Sequence, residues 1–510
     1  MRAGPLARAT SAAIAVAGIV FVTATGARAT TLVAVPQQWS QYQGDAQHTG
    51  STSSAPAAPF RVAWSAPSGI GDTMHFAGVP APVVAGDDAI VVDREDVTAT
   101  SLASGTVAWT VPRQLGPSAP AAVVATKDAT TIVYTEGGGD LSSSASGTPT
   151  PTPPSPLPTP SASPTSSASA TASTADRSTL VAIDASTQVV LWRHSLPGVS
   201  IGGPTIDGST VLVGTHEGSV TAVAVGSGDQ EWTVDLGDSI SSPIATAGGI
   251  AYVSVAAGSG QAGFLVALRE ADQQEVWRFS AGGAGISVGA PTVANGTVYV
   301  TVSDGSVRAF DAASGASRWA AKMNTVSGVL APPLTLPMGG PPAVSNGAVV
   351  VSDIRGQVYR FDAATGDRAW DFAMNDHVYG STVIAGSLVV VGDSSGTVSA
   401  IDLETGERIW RQNVGEGLLL GFAVTPDSVV AARTGPSAGL VSLVADPNGA
   451  LIREQSPTIV EPVQLGLAWA VAAVPIVILL ILAGRFLDAR LGPATFGSGD
   501  DGEPVEEDLE

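Results

Sequence analysis

Apolar and polar positions alternate along most of this chain in bursts of about five or six residues, cut apart by glycine-bearing turns. Residues 200–234, SIGGPTIDGSTVLVGTHEGSVTAVAVGSGDQEWTV, hold four such bursts, and residues 287–321, SVGAPTVANGTVYVTVSDGSVRAFDAASGASRWAA, repeat the same order. Period-2 alternation between regularly spaced turns predicts strands, so each unit reads as four short strands. The first follows a proline (Pro204, Pro243, Pro291, Pro342), the second is valine-rich, the third is like 307–310, and the fourth carries a tryptophan.

The tryptophans mark the period. Trp109, Trp192, Trp232, Trp277, Trp319, Trp370 and Trp410 recur mostly at gaps of 40 to 51 residues, the spacing of a repeat array rather than of unrelated domains. Eight positions before them stand Ser101, Asp184, Ala224, Arg269, Asp311, Asp362 and Asp402; four positions before them stand Gly105, Gln188, Gly228, Gln273, Gly315, Gly366 and Gly406. A tight reversal needs a residue tolerant of positive φ, and an aspartate at its start accepts hydrogen bonds from the turn backbone, so these positions are assigned to turn structure. Four antiparallel strands per unit make the blade of a β-propeller, and a large ring on the outermost strand is expected to fill the wedge between blades. With an insertion at 141–178 set aside, the repeat region divides into about 45 residues for each of eight blades or about 51 for each of seven. Eight fits the period better, with seven as the alternative. The last unit, 421–452, lacks its tryptophan, whereas Trp64 has no strands before it; the Trp64 strand is therefore expected to complete the last blade and seal the ring.

The two ends read differently. Residues 1–29 place Arg2 and Arg8 before a short apolar run that closes on Ala27-Arg28-Ala29, the pattern of a cleaved export signal. Residues 30–59 are then a leader, 60–455 the propeller and 456–462 a linker. Residues 463–484, VQLGLAWAVAAVPIVILLILAG, contain no charge; as a helix they would cover about 33 Å, enough to span a bilayer. Arg485 and Arg490 follow, then an acidic tail to 510, so the expected order is propeller outside, one transmembrane helix, C-terminus in the cytoplasm. The Pro/Ser/Thr-rich insertion 141–178 is too poor in apolar residues to bury a core and is expected to be disordered. It falls between the second and third strands of one blade, on the face of the blade-to-blade connections, opposite the Asp–Gly turns. A chain leaving the last blade on the turn face would point the loop face away from the membrane.

Charge and composition narrow the functions. Asp and Glu number 45 against 23 Lys and Arg, a net charge of -22, which argues against nucleic acid as a partner. The absence of cysteine removes disulfides, thiolate metal sites, a cysteine nucleophile and a lipoprotein anchor.

Residues 397–410, TVSAIDLETGERIW, with 357–370 and 306–319 close behind, resemble the quinoprotein-type (PQQ-like) β-propeller repeat, whose unit looks like G-x-V-x-A-x-D-x-x-T-G-x-x-x-W. The likeness covers roughly residues 36 to 455 and includes WSQYQGDAQHTG at 39–50, similar to the leader that precedes the first blade in such proteins. For the dehydrogenases of that family it implies pyrroloquinoline quinone on the propeller axis with calcium, an aspartate base, and a vicinal disulfide and tryptophan floor clamping the quinone. This chain has no cysteine, and its tryptophans are assigned to outer strands. It also resembles the propeller subunit of outer-membrane protein assembly, a lipoprotein whose anchoring cysteine is missing here.

Other candidate chemistry is weak. GVSIG (198–202) and GISVG (285–289) match the G-x-S-x-G elbow but lack its strand–turn–helix context. His48, His75, His194, His216 and His377 show no paired ligand spacing; EGGGD (136–140) lacks the lysine and helix of a phosphate loop. The repeated aspartates sit on separate blades and do not converge on a calcium ion. No catalytic, cofactor or metal residue is assigned. The expectation is a non-catalytic, membrane-anchored extracytoplasmic propeller that binds an exported protein or envelope ligand, with a PQQ-dependent alcohol or sugar oxidoreductase as the alternative.

Overall fold

The computed structural model describes residues 39–67, 81–127, 129–138, 177–256, 261–283, 286–323, 340–435 and 438–456. The expected export signal at 1–29, most of the insertion, the apolar segment 463–484 expected to span the membrane and the acidic tail lie outside these residues. No helix among the described residues is long and apolar enough to cross a membrane.

Burial grades from strand to strand within each unit. Valine-rich second strands such as Thr297–Val302 and Leu388–Gly392 are buried along their whole length, and third strands such as Ser219–Ala224 are buried at their centres. Fourth strands such as Gln230–Asp235 alternate between half-buried and exposed positions. A strand covered on both faces must lie inside and an alternating one at a solvated rim, so the sequence pattern itself orders the strands radially.

The ladders assemble eight blades, each of four antiparallel strands, and blade 7 gains a short fifth strand where Ser51–Thr52 of the leader pairs parallel with Val383–Ala385. Blades 1 to 7 follow chain order, beginning at Val83, Ala122, Pro204, Ala245, Thr292, Ala343 and Val383. The eighth joins Leu419–Val424, Ser428–Arg433 and Gly439–Ala445 to Phe60–Pro67, which pairs antiparallel with Gly439–Ala445 and puts Trp64 in the outer strand. The ring is thus sealed by chain segments nearly four hundred residues apart, and no blade edge is left open at the seam. First strands of neighbouring blades contact one another around the axis.

One boundary shifts from the expectations. In blade 2 the ladder runs on to the pair Gly137↔Ser178; Ser178 is buried and its hydroxyl donates to Gly137 O at 3.3 Å, so the insertion stops short of residue 178. The C-terminal segment also takes a different course. Asp446 N donates to Pro59 O at 2.7 Å on the turn face, but Arg408 and Glu454 then exchange backbone hydrogen bonds of 2.9 and 3.0 Å along the outer edge of blade 7. Ser456 Oγ accepts from Ala373 N at 3.2 Å, at the end of Arg368–Ala373 remote from its turn. The chain thus leaves the last blade on the turn face, as expected, but is then held against the rim and crosses it toward the loop face, so that exit does not point the loop face away from the membrane.

Candidate functional site

The axis is where a propeller offers its most enclosed surface, and here it is lined by the leader. Residues 39–52 pass the first strands of seven blades in order. Val84 N donates to Trp39 O, Val123 N to Ser40 O, Thr246 N to Ala46 O, Val293 N to Gln47 O, Val344 N to Thr49 O and Ile384 N to Gly50 O, all at 2.7–2.8 Å. In blade 3 the Gln41 side chain does the same work, accepting from Ile206 N at 2.8 Å and donating to Ile206 O at 3.2 Å. Each of these seven first strands thus has a backbone donor satisfied from inside the ring. Asp45 holds the leader's bend by accepting from Thr49 N at 2.9 Å and from its hydroxyl at 2.5 Å. His48 is fully buried, with Nδ1 3.2 Å from Pro291 O and its ring edge-on to Tyr42; burial pushes its pKa down to about 4, so the imidazole is neutral at physiological pH.

On the loop face of this collar a funnel of about 280 Å³ opens, floored by Tyr42 and bounded by Ser242, Ser254, Ser287, Tyr379 and Ser381 with glycine backbone between them. Among the described residues none that line it is charged. Pyrroloquinoline quinone is a tricarboxylate and calcium a hard cation, so the pair needs cationic donors and several converging carboxylates. The funnel supplies hydroxyls and carbonyls instead, and no group of three or more His, Cys, Asp or Glu among the described residues is arranged to hold a metal. The residues present do not fit the quinone and its metal.

The repeated residues lie far from the axis. The indoles of Trp64, Trp192, Trp277, Trp319 and Trp370 donate to the carbonyls of Leu102, Val225, Ala312, Ala363 and Leu403 at 2.7–2.9 Å, each in the Asp–Gly turn of the next blade. A Cβ on Gly105, Gly228, Gly315, Gly366 or Gly406 would come within 2.6–2.7 Å of the same indole. The turn glycine therefore answers two demands, a positive φ and a flat seat for the neighbour's ring. Where glutamine replaces it, at Gln188 and Gln273, the backbone keeps a positive φ and the side-chain amide donates to Ala185 O and Glu270 O, the carbonyls equivalent to those the indoles reach elsewhere. Trp109 and Trp232, facing those blades, pack half-buried in the wedges. Trp410 meets the seam, edge-on to Phe60 at 5.1 Å. The carboxylates of Asp184, Asp311, Asp362 and Asp402 each accept from N–H groups two or three residues on, at 2.8–3.1 Å.

The remaining motifs fall apart in space. Ser200 is buried and its N donates to Ser178 Oγ; Ser287 N donates to Ser303 Oγ, and neither serine opens a helix. His194 bonds Gly228 O, His216 bonds Ser239 and His377 bonds Asp376; His75 lies outside the described residues. Glu136 is buried against Arg193. Sequence reasoning missed Arg113, a buried guanidinium that donates to the carbonyls of Asp93, Thr135, Gly116 and Pro117 and fastens the connection between blades 1 and 2. Burial pushes its pKa down to about 10, which leaves it charged. Its only signal was a lone arginine in a connection otherwise free of charge.

Comparison with known proteins follows the fold closely. The BamB outer membrane protein assembly factor of Yersinia pestis is 28% identical over 192 residues, 36% of this chain and 45% of that protein. Tetrathionate hydrolase of Acidithiobacillus ferrooxidans is 27% identical over 208 residues, 38% and 40% of the two chains. The chain thus spans less than half the length of these curated relatives. Among solved structures, BamB from Moraxella catarrhalis superposes with a TM-score of 0.50 at 18% identity, covering 77% of this chain and 99% of that one. A quinohemoprotein alcohol dehydrogenase from Pseudomonas putida HK5 superposes with a TM-score of 0.58 at 14% identity, over 83% and 82%. Both likenesses concern the fold. Three overlapping stretches, 131–237, 216–336 and 303–456, match the repeat family PQQ_2, described as outer membrane protein assembly factor BamB, and with more than half its length so matched the chain belongs to that family.

Proposed function

We propose that this chain is a non-catalytic binding propeller of the cell envelope, tethered at the cell membrane by residues 463–484, that docks an exported protein or another envelope component. The observation that carries this reading is the axis. Its middle is taken up by the leader and, among the described residues, its mouth carries only hydroxyl, amide and apolar groups, a surface suited to neutral hydrogen-bonding contacts and short of the charged groups that redox or hydrolytic chemistry needs. The likeness to assembly factors supports the same reading. No cofactor is proposed.

The second reading, a PQQ-dependent alcohol or sugar oxidoreductase, is favoured by the superposition on the quinohemoprotein dehydrogenase, and a fold hosts many activities. Reconstitution separates the two. The purified full chain, incubated with the quinone and calcium, is expected to show neither stoichiometric bound-quinone absorbance nor dye-linked alcohol oxidation; a stoichiometric holo-form would establish the enzyme.

A further inference from the structure

Outer strands of blades present unpaired N–H and C=O groups, and charged side chains are the usual guard against unwanted pairing. The three residues before the outer-strand tryptophan include at least one charged residue in every blade from 3 to 8, for example Asp229-Gln230-Glu231 in blade 3 and Glu407-Arg408-Ile409 in blade 7. Blade 2 has Val189, Val190 and Leu191 instead, and they are 59%, 39% and 51% exposed. Five of the seven large apolar side chains that stand exposed among the described residues (these three with Val107 and Leu115) belong to blades 1 and 2 and the connection between them.

Blade 7 shows how such an edge is covered. Its Arg408 N–H and C=O pair with Glu454, and Ile409 O accepts from Ile452 N at 2.9 Å. Side chains select the segment: Glu407 takes Arg453 at 2.8 Å and also Gln455, and Glu454 takes Arg408 and Arg411. Blade 2 repeats the backbone. Asp184 N bonds Val189 O as Asp402 N bonds Glu407 O, so Val190 stands in the place of Arg408 and Leu191 in that of Ile409. Their outward backbone groups have no pairing strand among the described residues, the sheet ending at Val190–Ser195. Arg193, in the place of Arg411, is taken by Glu136. The same edge is therefore offered with apolar selection in place of ionic selection.

We propose that the outer edge of blade 2 is a docking site for an extended segment of another exported polypeptide, one with apolar side chains where this chain's own tail has Ile452 and Glu454. Backbone pairing would supply affinity and the alternate apolar side chains specificity. A groove of about 430 Å³ between blades 1 and 2, bordered by Gly86, Asp88, Thr126 and Ser186 of the turn face, adjoins the turn that leads into Val189 and gives the segment a path over the rim. The proposal deepens the protein-binding reading and rests on it.

The test uses the full chain in detergent and a fluorescein-labelled ten-residue peptide of alternating valine and threonine, read by anisotropy. Binding is expected, with none to the same peptide carrying glutamate at the valine positions. Val190→Pro, which removes the outward N–H, and Leu191→Glu are each expected to weaken binding at least tenfold, while Glu231→Lys in blade 3 leaves it unchanged. Because Leu191 is exposed, its variant should keep the thermal midpoint, which controls for folding. Equal binding by all variants, or none by the wild type, would overturn the site. In cells, a photo-crosslinker at position 191 is compared with one at 231 and one at 242 beside the funnel. Cross-links from 191 alone to an extended apolar segment of a separate exported protein would support the proposal. Cross-links from 191 to residues 139–176 of the same chain or to a second copy would overturn it. Exported proteins captured at 242 and not at 191 would overturn the docking site while sparing the protein-binding reading.

Discussion

At each inter-blade wedge one indole and one glycine meet, and their fit can be measured. Gly366 has φ +77° and a Cβ there would lie 2.6 Å from Trp319, so Gly366→Ala is expected to cost about 1–3 kcal/mol in denaturant unfolding. Trp319→Phe should keep most of the packing and lose the hydrogen bond to Ala363 O, about 1 kcal/mol. Glycine at these turns was readable from the sequence as turn chemistry; the ring seated on it was not, because the ring comes from the preceding repeat and only folding brings the two together. A second residue titrates against stability. Burial, with Asp207 and Glu231 nearby, pushes the Glu270 carboxyl up to about 7. A carboxyl whose folded pKa is raised favours the native state while protonated and opposes it as pH climbs from its ordinary value toward 7. Glu270→Gln should therefore raise the thermal midpoint at pH 8 and hardly change it at pH 5; equal effects at both would show that the carboxyl is not strained.

At the scale of elements, the leader is the part whose place the repeat pattern could not show. It stands outside the period, and its resemblance to other leaders says nothing of where it runs. Its backbone carbonyls, matched to the donors of successive first strands, carry it around the axis, and His48 is locked in that path as a neutral ring. A histidine with a depressed folded pKa stabilises fully above its ordinary value and loses that contribution as pH falls through about 6.5 toward 4, here roughly 3 kcal/mol for full burial. The variant His48→Gln should flatten the stability profile across that window, as followed by urea unfolding at pH 7, 6, 5 and 4; an unchanged slope would mean the leader does not bury this ring. The strand pattern itself was plainly legible, because second strands covered on both faces read as valine runs and rim strands as alternation.

For the whole molecule, the blade number followed from the tryptophan spacing, and the closing role of the Trp64 strand from a last unit without a tryptophan and a first tryptophan without a unit. The path of the C-terminal segment did not, since Arg408, Arg411 and Glu454 are ordinary surface charges until the chain returns past blade 7. The proposed binding role rests on the leader occupying the axis of the wheel. Amide hydrogen exchange of the full chain in detergent, read at Val84, Val123, Ile206, Thr246, Val293, Val344 and Ile384, tests that directly. These amides are predicted to exchange as one slow set, alongside the buried second strands. Fast exchange at the seven while the second strands stay protected would reveal an open channel and contradict the account.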